Sequence, residues 1–206
     1  MHQPSVGGHA AVLETSTGLD HRKLLMWAFL GSDCLFFGSL ITTYMLYRGK
    51  SLVGPHPAEV FSIPYTSVSA FVLLMSSLTM VLALAAIQRG DHRGLRVWLV
   101  ATALLGTVFL GGQFFEFTSF VVKEGLTLQV NLFGTTFFVL TGFHGAHVTV
   151  GVIILLSLVA VSLRGGLPQE DSLTVELAGL YWHFVDIVWI VIFTLIYLIP
   201  TPAPPI

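Results

Sequence analysis

Five long apolar runs organise this chain, near residues 24–46, 66–88, 95–120, 131–163 and 177–199. About 20 apolar residues cross a bilayer as a helix, so each run predicts a transmembrane span. The connecting stretches Arg48–Pro64, Gln88–Gly94, Thr118–Val130 and Arg164–Glu176 carry the Gly, Pro and charge expected of loops. No run alternates polar and apolar residues over about ten positions, which argues against a β-barrel. The predicted fold is all-α, a polytopic membrane bundle of five helices. The fourth run is long for one crossing and implies tilt or protrusion. A polar arm over residues 1–23 precedes the spans, and a Pro-rich tail over 200–206 follows them. Residues 1–20 lack the charged start and apolar core of a cleaved signal peptide, so the first span is expected to be retained.

Four of the five runs are interrupted by ionisable side chains: Asp33, Glu116, the pair His144 and His147, and the pair His183 and Asp186. An ionisable group in hydrocarbon costs a few kcal/mol by insertion scales, so it faces protein or trapped water and marks function. Lys and Arg set the orientation. Arg22, Lys23, Arg89, Arg93, Arg96 and Arg164 fall on one side, and Arg48, Lys50 and Lys123 on the other. The excess predicts a cytoplasmic N-terminus and an external C-terminus. At 1.5 Å per residue, Asp33 and Asp186 each lie roughly 13 Å above the cytoplasmic start of their helices. Two polar layers follow from such heights: Asp33 with His183 and Asp186 inward, and Gln113 and Glu116 with His144 and His147 outward.

Each residue has a plain and a sharper reading. His144 and His147, three apart on one helical face, either hydrogen-bond to pin helices together or bind a metal with Glu116. Gly142, Gly145 and Ala146 beside them permit the close helix approach that the packing reading needs. His183 and Asp186 are a structural pair or a proton-handling one, since imidazole titrates near neutrality. Asp33 is either neutral and hydrogen-bonded or a proton antenna, and it requires a non-lipid neighbour. Trp27, Trp98, Trp182 and Tyr197 are expected as interfacial anchors near helix ends. No Ser-His-Asp arrangement, phosphate-cradling loop or haem-attachment motif is visible, although spacing alone leaves axial haem ligation by one histidine open.

Composition narrows the classes further. The chain has 206 residues, 54 % hydrophobic and 10 % charged, which is one domain well outside soluble norms. A net charge of −2 offers no basic field for nucleic acid. The single cysteine, Cys34, supports neither an internal disulfide nor a thiolate cluster. A proton-coupled carrier would show inverted repeats and broken helices, and neither is present.

Four segments carry a family resemblance. Gly134–Val148 (GTTFFVLTGFHGAHV) and Tyr181–Ile190 (YWHFVDIVWI) resemble signatures of subunit III of the haem–copper oxidases, which include cytochrome c and quinol oxidases. Phe29–Gly38 (FLGSDCLFFG) resembles that family's carboxylate-bearing helix, and Gln113–Phe117 (QFFEF) its Q-x-x-E segment. The motifs occur in family order over residues 24–199. Larger members have seven helices, with a lipid-filled cleft behind the first two, whereas this chain is similar to the five-helix bacterial members. Asp33 stands where the family usually carries Glu.

The resemblance implies a non-catalytic subunit of a terminal oxidase that reduces O2 to water and pumps protons. Such a subunit has no catalytic, cofactor-binding or metal-ligating residue, with haem and copper held by partner subunits. It implies packing against subunit I, bound phospholipid, support of proton uptake, and residence in the bacterial plasma (inner) membrane. Asp33, Gln113, Glu116, His144, His147, His183 and Asp186 would form its intramembrane polar network. A cytochrome c oxidase is the leading expectation. A quinol oxidase, an accessory subunit of a nitric oxide reductase, and a membrane metalloenzyme using His144, His147 and Glu116 are the alternatives.

Overall fold

The computed structural model describes residues 20–51, 54–55 and 61–199, and the expected N-terminal arm and Pro-rich tail lie almost wholly outside them. The described residues form five long helices: α1 (His21–Tyr47), α2 (Ile63–Gln88), α3 (His92–Val122), α4 (Leu132–Leu163) and α5 (Ser172–Phe193). One π-helical turn, Thr194–Leu198, continues α5. Together these make five helices long and apolar enough to cross a membrane. No strand occurs among the described residues.

Local chemistry sets the helix starts. Asp20, Asp91 and Asn131 cap α1, α3 and α4 by accepting from the backbone N–H of Arg22 (2.8 Å), Gly94 (2.9 Å) and Gly134 (2.7 Å). Each cap satisfies one of the otherwise orphaned first-turn donors. Pro64 sits in the first turn of α2, where its missing N–H costs nothing. Gly90, with φ +73°, makes the short turn between α2 and α3. α5 begins at Ser172 rather than near 177, because its polar first turn continues a short 3-10 turn, Gln169–Asp171.

Successive helices run antiparallel, as contacts at the two ends demonstrate. At one end Lys23 pairs with Glu176, Gln169 Nε2 donates to Gln88 O (2.7 Å), and Arg96 donates to Ser162 Oγ and O (3.1 and 2.8 Å). At the other, Arg48 donates to Ile199 O, and Ser51 Oγ accepts from Phe133 N (3.1 Å). Helix α3 packs between α2 and α4, α5 touches α1, α2 and α4, and α1 packs mainly on α4 and α5. Helix α1 buries a single stripe: Leu30, Asp33, Phe37 and Tyr44.

The centre of the bundle is built around Trp182. A Cβ added at Gly106 of α3 would lie 2.5 Å from the Trp182 ring, and one at Gly151 of α4 would lie 2.8 Å from it. The indole therefore fills space that only glycine leaves open on both neighbours. Its N–H donates to Ser76 Oγ of α2 (2.9 Å), so one side chain ties four helices. This corrects the expected interfacial role of Trp182: the ring is only 1 % exposed, because its partners are glycines rather than headgroups. Tyr197 is likewise buried, its ring 4.3 Å from that of Phe61. Trp27, near the end of α1, is exposed, and Trp98 is half-buried.

Candidate functional site

The polar residues inside the bundle form three separate clusters. The first joins α1 to α4. Asp33 Oδ2 lies 3.6 Å from His147 Nε2, an ion-pair distance rather than a hydrogen bond. His147 Nδ1 lies 2.7 Å from Phe143 O, which fixes the proton on that nitrogen. Nε2 thus faces the Asp33 carboxylate across the α1–α4 contact without a hydrogen bond between them. Tyr181 of α5 closes the cluster by donating its hydroxyl to His147 O (3.0 Å).

The second cluster joins α2 to α5. Ser77 Oγ donates to Asp186 Oδ2 (2.6 Å), and His183 Nδ1 lies 3.1 Å from the same Ser77 oxygen. One hydroxyl has one proton, so His183 carries its proton on Nδ1 and donates to Ser77. The order is His183 to Ser77 to Asp186, a hydrogen-bond relay and not a nucleophile activated by a base. Asp186 is buried, and His183 is partly exposed.

The third lies nearer the opposite end of the bundle. Glu116 of α3 accepts from Thr66 Oγ1 of α2 (2.6 Å), and the Tyr197 ring occupies the same buried neighbourhood. The π turn at Thr194–Leu198 places Tyr197 there by widening the end of α5.

His144 and Gln113 join none of these. His144 is fully buried, stacked on Trp189 at 4.9 Å and edge-on to Phe109 at 6.0 Å, and neither ring nitrogen has a hydrogen-bond partner. Gln113 is buried against Gly145, where an added Cβ would lie 3.2 Å from its Oε1, and its amide is also without a partner. Two expectations change accordingly. Asp33 pairs with His147 rather than with His183 and Asp186, because α1 lies against α4 at that height. The hydrogen-bonded network expected of both α4 histidines includes only His147, since His144 is enclosed by rings.

Ser76, Ser77, Thr66 and Tyr181 are working members that the sequence reading passed over. Hydroxyls in membrane helices usually bond their own backbone one turn back, as Thr42, Thr107 and Thr149 do here, so they carry little signal. The adjacent pair Ser76-Ser77, opposite an His-x-x-Asp helix, is the clue that was available.

A multi-pass membrane bundle with internally paired polar clusters defines the class. Residues 20–200 match the family model for cytochrome c oxidase subunit III. The chain belongs to that family, the third subunits of haem–copper terminal oxidases. It is 36% identical over 199 residues to quinol oxidase subunit 3 of Bacillus subtilis (strain 168), covering 96% of this chain and 97% of the relative. It is 38% identical over 181 residues to cytochrome c oxidase subunit 3 of Thermostichus vulcanus, covering 87% and 88%. The corresponding protein of Bacillus sp. (strain PS3) is 37% identical over 178 residues, covering 86% of each chain.

Proposed function

We propose that this chain is the non-redox subunit III of a cytochrome c oxidase in a bacterial plasma membrane, packed against subunit I. Its complex reduces O2 to water and pumps protons, with haem and copper in partner subunits. The observation that supports a non-redox role is the dispersal of His144, His147 and Glu116. His147 faces Asp33, Glu116 faces Thr66, and His144 is stacked on Trp189. Among the described residues no group of three His, Cys, Asp or Glu gathers around a common point. The metalloenzyme alternative needs such a gathering.

The Arg-rich end, with Arg89, Arg93 and Arg164, faces the cytoplasm. An apolar groove of about 620 Å³ between α1, α4 and α5, lined by Met26, Phe29, Phe143, Ile154 and Leu177, suits phospholipid chains. His147 in its wall, with Asp33 Oδ2 3.6 Å from its Nε2, suits support of proton uptake.

The donor is tested by purifying the assembled oxidase through a tag on this chain and measuring oxygen uptake with reduced cytochrome c and with a quinol. Cytochrome c-driven uptake is expected, and uptake with quinol alone would replace this reading with a quinol oxidase. That second reading is favoured by the 96% coverage of this chain by the Bacillus subtilis quinol oxidase subunit. The chain purified alone is expected to show no haem band, and one metal per chain after dialysis would overturn the non-redox role.

A further inference from the structure

His183 leaves part of its imidazole uncommitted at a depth where neither lipid tails nor headgroups can serve it. Nδ1 is engaged by Ser77, whereas Nε2 makes no hydrogen bond among the described residues and is not enclosed. The residue lies 11 positions after Ser172, roughly 16 Å along α5 from the headgroup end. Hydrocarbon offers no acceptor there, and a partly exposed polar ring facing lipid is costly.

The surroundings form one continuous seam. His183, Ile187, Ile190 and Thr194 repeat at helical spacing along one face of α5. Ile187 is 58% exposed and Ile190 41%. Ser77 shares its face of α2 with Leu74 and Val81, both also exposed. The seam thus has apolar flanks around a polar centre made by His183, Ser77 and the buried Asp186 carboxylate.

We infer that this α2–α5 seam is the docking face for a transmembrane helix of another oxidase subunit, which supplies a hydrogen-bonding side chain to His183 Nε2. The inference rests on the subunit reading above and adds where the contact is made. Polar complementarity selects the occupant: an acyl chain could cover Ile187 and Ile190 but could not pair with the imidazole. A helix bearing Ser, Thr, Asn, Gln or a carboxyl group at that depth does both.

The test uses the whole oxidase in native membranes, with a photoreactive p-benzoylphenylalanine replacing Ile187 on the seam or Leu104 on α3. Leu104 is 63% exposed on a different helix. Irradiation is expected to join this chain to another oxidase subunit from position 187 and to leave position 104 without a protein adduct. His183→Leu is expected to lower retention of the chain in the detergent-washed complex about threefold, the worth of one membrane hydrogen bond, and His183→Gln to restore it. Ile187→Trp, at a position 58% exposed, separates lost docking from lost folding and should lower retention as well. Protein adducts at 104 but not 187, adducts at neither position, or full retention of both Ile187→Trp and His183→Leu would overturn the docking face. Should no oxidase subunit accompany the unsubstituted chain, the subunit reading itself falls.

Discussion

The most apolar stretches of α1 and α5 have almost the same mean hydropathy and occupy opposite situations. The most apolar stretch of α1 is 11% buried and that of α5 is 50% buried. Helix α1 presents one stripe to its neighbours, whereas α5 buries Trp182, Val185, Trp189 and Ile192 among them. Hydropathy reports that a segment prefers lipid to water, and it does not distinguish lipid from protein as the neighbour. Shape does. Gly106 and Gly151 make room for Trp182, and Gly179 lies against Met80. Few large-to-small matches of this kind serve α1. To its one packed stripe it adds the Lys23–Glu176 ion pair, Asp33 facing His147, and Arg48 donating to Ile199 O. Helix α5 is held mostly by packing, and α1 by one packed stripe and a few polar clasps.

Substitutions graded from α5 to α1 test that contrast, read as unfolding free energies in mixed micelles under increasing denaturing detergent. Trp182→Ala should cost most, about 3–5 kcal/mol, because it empties the space between Gly106 and Gly151 and removes the indole donor to Ser76. Gly106→Val should destabilise by about 1–3 kcal/mol through overpacking against the same ring. Asp186→Ala leaves the Ser77 hydroxyl without its acceptor and should cost about 1–3 kcal/mol, while initial oxygen reduction by the assembled complex persists. Loss of that initial activity in a complex retaining all subunits would give Asp186 a direct part in turnover. On α1, Asp33→Ala should cost about 0.6–1.7 kcal/mol, the range of membrane polar contacts. Leu35→Ala, on the exposed face of α1, should stay within about 0.5 kcal/mol. A Leu35→Ala cost comparable to that of Trp182→Ala would break the comparison, since it would make the outer face of α1 as embedded as α5.

What could be read from the sequence follows the same division. Length and apolarity alone announced five membrane helices, since hydrocarbon tolerates few other ways of crossing. The motifs around His147, Asp186 and Glu116 carried the family. Lateral placement was not legible: heights along helices put Asp33 level with His183 and Asp186, but height does not specify which helix stands beside which. Helix α1 lies against α4 there, so His147 takes the contact. Trp182 was misplaced because an indole near a helix start is an ordinary interfacial anchor. Only the glycines on two other helices, Gly106 and Gly151, reveal it as a central wedge. Ser77 was silent because a hydroxyl in a membrane helix is usually satisfied by its own backbone.

The clasps on α1 also bear on the order in which the protein is made. Glu176 lies 153 residues after Lys23, and Ile199 lies 151 after Arg48, so these polar fastenings of α1 are to sequence synthesised much later. His147, the partner of Asp33, is also more than a hundred residues downstream. At about 5–20 residues per second, the first helix enters the membrane on the order of ten seconds before α4 can meet it. During that interval Asp33 has no native neighbour. The contact that sets Asp33 against α4 forms only after His147 has been made.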